Sequence, residues 1–188
     1  VAQDARADRN VVDITVTGHH IDMPEEIASG WTTFRFHNRT EHVHFGLIDL
    51  LPDGITVADQ VAQVVPVFQD AMDLINAGDP GAGFAEFAAL PAWYAEVTYH
   101  GGPGFVAPGE TAVTTLYLEP GTYAMECYVK TDGVFHTTEG MIAGFTVTDE
   151  DGVRGEPDAD VTVTVSSDGV TGSLALEGEF RPGRQTIA

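Results

Sequence analysis

The sequence is poor in basic residues, in cysteine and in long apolar runs. Eight Lys and Arg face 29 Asp and Glu, a net charge of −21. Such a charge repels phosphate backbones and anionic lipid, which argues against nucleic acid and acidic membrane surfaces as partners. It suits a basic partner, or a saline medium in which self-repulsion is screened. A single cysteine, Cys127, excludes an internal disulfide. No run of eighteen apolar residues occurs, so no membrane-spanning helix is expected. The opening "VAQDARADRN" is polar and lacks a basic-then-apolar leader pattern. The chain is therefore expected to be cytosolic or to have lost a leader already. What it does have is material for a core: 43% hydrophobic residues, including 10 Phe and 5 Tyr. In 188 residues this supports one well-packed domain with an extension, or one domain and part of a second.

Alternating apolar and polar residues mark strands at "VVDITVTG" (11–18), "GWTTFRFHN" (30–38), "HVHFGLIDL" (42–50), "TAVTTLYL" (111–118), "TYAMECYV" (122–129) and "MIAGFTVT" (141–148). In the second of these, Thr32, Phe34 and Phe36 share one face. Between 57 and 75 the period changes. Val57, Val61, Val64, Val65, Phe68, Met72 and Ile75 recur at helical spacing. Thr56 or Asp53 can cap this helix, Gly78 can end it, and Pro66 should kink or divide it. "GFAEFAAL" (83–90) predicts a second short helix, while "HGGPG" (100–104) and "APGE" (107–110) predict loops. The expected fold is all-β, a Greek-key β-sandwich with a helical insertion around 56–90.

That domain is expected to span 1–148, followed by an acidic linker, 149–159, and a short β extension, 160–188. Within the extension "DVTVTVSSDG" echoes "VVDITVTGHH", and "PGRQTIA" echoes "SGWTTFR". The tail thus reads as the first strands of a second repeat. An incomplete sandwich cannot bury its own apolar face. It should pack on the main domain, pair with another chain to give a homo-oligomer, or continue in residues beyond these.

The chemistry concentrates in "CYVKTDGVFHTTEGM", where Cys127, His136 and Met141 fall within fifteen positions. Tyr123, Met125 and Cys127 point the same way along a strand. A thiol, an imidazole and a thioether from one loop can meet at one point, but one loop cannot encircle a metal. "HNRTEHVH" offers the missing ligand as His42 or His44, two apart on one face of a strand. Two histidines, a thiolate and a weak axial methionine form the ligand set of a blue copper site.

These residues give the chain its resemblance to the cupredoxins. The match rests on Asn38 with a following histidine, the Pro120-Gly121-Thr122-Tyr123 turn, Cys127, His136 with four residues before Met141, and Phe145 in the closing strand. It covers roughly 11–148, interrupted by the helical insertion. The resemblance implies one copper held by His44, Cys127, His136 and Met141. His44 is chosen because the amicyanin-like pattern puts the upstream ligand six after the asparagine, and His42 stays a rival. One departure stands out: eight residues separate Cys127 from His136, against the two to four usual in the family. With its Asp132-Gly133 turn, that longer loop can bring His136 home as a small hairpin, or it can change the geometry of the site or leave the metal more open to water.

Asn38 is read either as a tie between the histidine and cysteine loops or as a plain turn residue. His19 and His20 read as solvated turn residues, and His100 has no evident partner. His136 is expected to show a ring edge at the surface and act as electron port. The function expected is one-electron transfer with a redox partner protein, in the periplasm or secreted. Competing classes are copper storage or delivery, a copper redox enzyme, and a metal-free interaction module. The enzyme reading is disfavoured because Cys127 has Glu126 and Tyr128 as neighbours, not the histidine that wires paired-domain copper enzymes.

Overall fold

A computed structural model describes residues 10–150, 152–183 and 185–188. The polar start, up to residue 9, lies outside the described residues, as do Asp151 of the acidic linker and Arg184 of the tail. The first seven strands are β1 (Asn10–Thr17), β2 (His20–Asp22), β3 (Glu26–Ala28), β4 (Gly30–Asn38), β5 (Leu47–Leu50), β6 (Thr98–Gly101) and β7 (Thr111–Leu118). They are followed by β8 (Gly121–Glu126), β9 (Lys130–Thr131), β10 (Val134–Phe135), β11 (Ile142–Thr148), β12 (Val161–Ser167) and β13 (Gly172–Gly178). Two sheets, in the orders β2-β1-β4-β7 and β3-β11-β8-β5-β6, form the main sandwich.

The alternation in the sequence is what makes the sandwich. β1 buries Val12, Ile14 and Val16, and β4 buries Thr32, Phe34 and Phe36. The two strands run parallel, with Val12 opposite Phe34 and Ile14 opposite Phe36. The chain between them crosses to the other sheet, where β3 pairs parallel to β11. The shared core joins these side chains to Ile48, Leu118, Tyr123, Met125 and Phe145. Burying such aliphatic and aromatic side chains is the dominant favourable term, worth about 1.5–3 kcal/mol each.

The second sheet is covered on its outer face too. β8 buries Tyr123 and Met125 in the core and also Ala124 and Glu126 on the opposite side. The cover is the helical insertion: α1 (Val57–Gln63), α2 (Val65–Asn76), α3 (Pro80–Glu86), and 3-10 turns at Phe87–Ala89 and Ala92–Glu96. Helix therefore continues past residue 90. Thr56 caps α1 in a reciprocal capping box with Asp59. The break between α1 and α2 falls at Val64, with Pro66 in the first turn of α2, where its missing N–H costs nothing. Gly144 on β11 leaves room for Val57, whose side chain a Cβ there would crowd.

Two stretches differ from the sequence reading. The expected strand 42–50 is regular only over Leu47–Leu50, and His44 instead makes an isolated antiparallel bridge with Val106. "HGGPG" is not all loop, since Thr98–Gly101 pairs with β5. Gly46 is the reason for the first change: its N–H donates to the Pro103 carbonyl at 2.9 Å, so this stretch pairs with the loop after β6.

The described residues divide into two compact units, one ending at Arg154 and the other beginning at Gly155. In the second, β12 and β13 form an antiparallel hairpin, and Val161 bridges Ile187 in parallel. An antiparallel neighbour on one side and a parallel one on the other is also the pairing of β1 with β2 and β4.

Candidate metal centre

Cys127 directly follows β8, and its N–H donates to the Met141 carbonyl at 3.2 Å. The long loop then folds back as the β9–β10 hairpin. Asp132 and Gly133 at its tip have φ of 53° and 88°, the left-handed pair a type I′ turn requires. The hairpin returns His136 to the sulfur: its N–H donates to Val129 O at 2.8 Å, and its carbonyl accepts from Met141 N–H at 2.8 Å. Helix α2 holds the loop from outside. Gln69 Nε2 donates to the Gly133 carbonyl at 3.1 Å, and its Oε1 accepts from Phe135 N–H at 2.9 Å.

The upstream histidine comes from the bridge with Val106. The structure brings His44, Cys127 and His136 together at the end of β8. Cys127 Sγ lies 3.9 Å from His44 Nδ1 and 3.7 Å from His136 Nδ1, and the two nitrogens are 3.1 Å apart. All three residues are fully buried. Met141 is also fully buried in the core that holds Cys127, and its backbone bonds to both Cys127 and His136. His42 is exposed, and its ring centroid lies 6.4 Å from that of His136.

Hydrogen bonding decides which nitrogen of His44 is free. Asn38 Oδ1, which can only accept, takes the Thr40 hydroxyl proton at 2.8 Å. The Thr40 oxygen must then accept from His42 N–H at 3.1 Å and from His44 Nε2–H at 2.9 Å. That leaves a bare lone pair on His44 Nδ1, aimed at the sulfur. His136 is oriented likewise, with Nε2 within hydrogen-bond distance of the Thr131 hydroxyl, 2.8 Å, and Nδ1 facing inward. Burial lowers the pKa of His44 to about 4, with the neighbouring His136 adding to the effect. Burial also lowers that of His136 and raises that of the Cys127 thiol. Two neutral imidazoles and a sulfur thus point three donor atoms at one spot. A shared proton can satisfy one such contact, whereas a cation satisfies all three. The donor set, nitrogen and sulfur without carboxylate, fits copper.

Three expectations change. His136 has no exposed ring edge. His19 is no free turn residue: its ring lies 4.7 Å from the His136 ring, and its Nε2 is 3.4 Å from Glu139 Oε2. Its half-exposed ring covers His136 from the solvent side. Asn38, fully buried, ties the histidine loop to the loop before β7 and not to the cysteine loop, donating to His42 O at 2.7 Å and to Val106 O at 2.9 Å. Thr40, Thr131 and Gln69 were not singled out from the sequence. Nothing local marks them, because their partners lie on other elements or depend on how the loop folds.

No protein-family model matches the chain, and no curated protein does. Among solved structures the chain is similar to dithionite-reduced auracyanin from the photosynthetic bacterium Roseiflexus castenholzii, with 22% identity and a TM-score of 0.42, covering 76% of this chain and 99% of that one. It is also similar to auracyanin A, a "blue" copper protein from the green thermophilic photosynthetic bacterium Chloroflexus aurantiacus, with 19% identity, a TM-score of 0.43, and coverage of 73% and 98%. Reduced rusticyanin shows 15% identity and a TM-score of 0.41, with coverage of 76% and 81%. At these identities and scores the likenesses lend no weight to the site, which stands on its own geometry. The two-sheet sandwich with its parallel β1–β4 and β3–β11 pairings, and the buried His–Cys–His group at the end of β8, give this chain a cupredoxin-like fold.

Proposed function

We propose that the chain binds one copper ion through His44, Cys127, His136 and Met141 and works as a one-electron carrier. The observation that carries this reading is the convergence of two Nδ1 atoms and a sulfur within 4 Å, with each histidine's other nitrogen already occupied by a threonine hydroxyl. Copper bound there would supply a one-electron couple. The chain's own part is to hold its donors in one arrangement and to exclude water. The donors come from two segments pinned by Asn38, by the Val106 bridge and by Gln69, which supports a small rearrangement between oxidation states. Complete burial of all four ligands favours a carrier over a delivery protein, which needs an open path for the ion.

Electrons would enter and leave beside His19 and His42, whose rings flank the buried His136. A redox partner protein would dock weakly and briefly over this end, with salt-dependent rates if charge steers it. The reading implies a periplasmic or secreted setting, where copper proteins of this class work. Among the described residues no helix is long and apolar enough to cross a membrane.

The test is an absorption spectrum after adding copper(II) to the full chain. An intense visible thiolate-to-copper band should appear with one equivalent and be missing in Cys127→Ser. No band in the unaltered chain, or an equal band in Cys127→Ser, overturns the proposal.

A further inference from the structure

The loop that carries His136 is long, and its own ladder is short. β9 and β10 pair over two positions, Val134 opposite Thr131 and Phe135 opposite Lys130. A two-stranded hairpin is marginal in water, and closing a longer loop costs more entropy. Holding His136 against Cys127 and His44 therefore calls for support from outside the hairpin. The ladder shows where that support attaches. Along an antiparallel pair, hydrogen-bonded and non-bonded positions alternate. His136 N–H donates to Val129 O at 2.8 Å, so the neighbouring pair, Phe135 with Lys130, is a non-bonded one. The Phe135 N–H points out of the hairpin, and its acceptor has to come from another element.

That element is α2. Gln69 Oε1 accepts from Phe135 N–H at 2.9 Å and from the Thr138 hydroxyl at 3.3 Å. Its Nε2 donates to the Gly133 carbonyl at 3.1 Å and to Asp73 Oδ1 at 2.7 Å. A carboxamide has two donor hydrogens and two acceptor lone pairs, and this one uses all four. It cannot be turned over, because its NH2 would then face the Phe135 N–H and its oxygen the Gly133 carbonyl. The three loop partners lie on both sides of His136, at 133 and 135 before it and at 138 after it. One side chain thus grips both arms of the loop. Asp73, one turn further along α2, keeps the amide from swinging out to solvent. Phe68 adds a second hold: its ring lies 5.4 Å from that of Tyr128, which lies 5.6 Å from that of Phe135.

We propose that the helical insertion is a clamp for the long loop between Cys127 and His136, with Gln69 as the positioning residue and Asp73 acting through it. The insertion and the eight-residue spacing are then one device, in which the longer loop needs an outside support and α2 supplies it. The clamp belongs to the metal-free fold. Its effect on copper affinity rests on the copper reading.

The experiment measures amide hydrogen exchange in the full metal-free chain, and then copper affinity by competition with a chelator. In Gln69→Leu the N–H groups of His136 and Met141 should exchange about ten-fold faster or more, and amides of β1 and β4 should change less. Copper affinity should fall about ten-fold. Asp73→Ala alters an exposed residue and leaves Gln69 in place, so it should show both effects at smaller size even if Gln69→Leu fails to fold. Asp73→Asn keeps an acceptor for Gln69 and should return both values to those of the unaltered chain. The proposal is overturned if the loop amides keep their unaltered rates. It is equally overturned if they speed up by the same factor as those of β1 and β4, because Gln69 would then support the fold as a whole. A loosened loop with unchanged copper affinity would overturn the positioning role. Absence of copper binding in the unaltered chain would instead overturn the copper reading, and the exchange rates would still decide the clamp.

Discussion

Replacing Asn38 with Ala removes the residue on which both the histidine loop and the tautomer of His44 depend. Its side chain makes four hydrogen bonds in a fully buried position: to His42 O, to Val106 O, from Thr40 N–H and from the Thr40 hydroxyl. Each is worth about 0.5–1.5 kcal/mol net, so their simple sum is roughly 2–6 kcal/mol. The lower half of that range applies, because three of the four partners keep another bond. Val106 O still accepts from His44 N–H, His42 O can still accept from the Thr40 hydroxyl, and that hydroxyl still faces His44 Nε2. Only Thr40 N–H is orphaned. With the small cavity left behind, the expected loss is about 3 kcal/mol. Urea denaturation followed by tryptophan fluorescence measures it. The variant should also bind copper more weakly, because the Thr40 proton, no longer held by Asn38, divides between His42 O and His44 Nε2, and the second choice moves the ring proton to Nδ1. Asn38→Asp keeps both acceptor bonds but turns a carboxylate oxygen toward two carbonyls, and should be at least as destabilised. A loss below about 1 kcal/mol in Asn38→Ala with unchanged copper affinity would refute this account of how the histidine loop is held.

Other expectations are equally specific. Thr131→Val removes the partner of His136 Nε2, and copper affinity should fall about ten- to a hundred-fold with little change in the melting midpoint. Competition with a chelator of known affinity reads this out, and an unchanged value counts against the hydroxyl's role. Gly102→Ala should destabilise strongly, because Gly102 has φ of 146° and an added Cβ would run into the Gly46 carbonyl oxygen, two residues from His44. A variant that melts within a degree or so of the unaltered chain would show that the loop yields without cost. Asp168, in the turn joining β12 to β13, accepts from Thr171 N–H, Val170 N–H and the Thr171 hydroxyl, which lowers its pKa to about 2. Its folded value lies below the ordinary 3.8, so its support is present above that value and is lost as pH falls through about 2. A carboxyl NMR titration should show this low midpoint, and an ordinary one would mean the turn is not formed as described.

Much of this molecule follows from local pattern. Alternation in "VVDITVTG" and "GWTTFRFHN" determines which side chains of β1 and β4 face the core, because a strand's side chains alternate whatever it pairs with. Thr56 and Asp59 cap α1, and Asp132-Gly133 turns the cysteine loop, through bonds that span only a few residues. Cys127, His136 and Met141 are likewise close in sequence, and a short loop keeps them close in space. Partners distant in the chain were decided only by the tertiary structure. Period-two spacing puts His42 and His44 on one face of a strand, but pairing with Val106 removes that segment from the sheet, so one ring faces the sulfur and the other faces solvent. His136 lies on a loop and would ordinarily reach water, yet His19, over a hundred residues earlier, covers it. Glu126 looks like an outward-facing strand residue until α1 lands on it. Local periodicity dictates where a side chain points, while its burial, its protonation and its partners depend on which distant segment fills the space it points into.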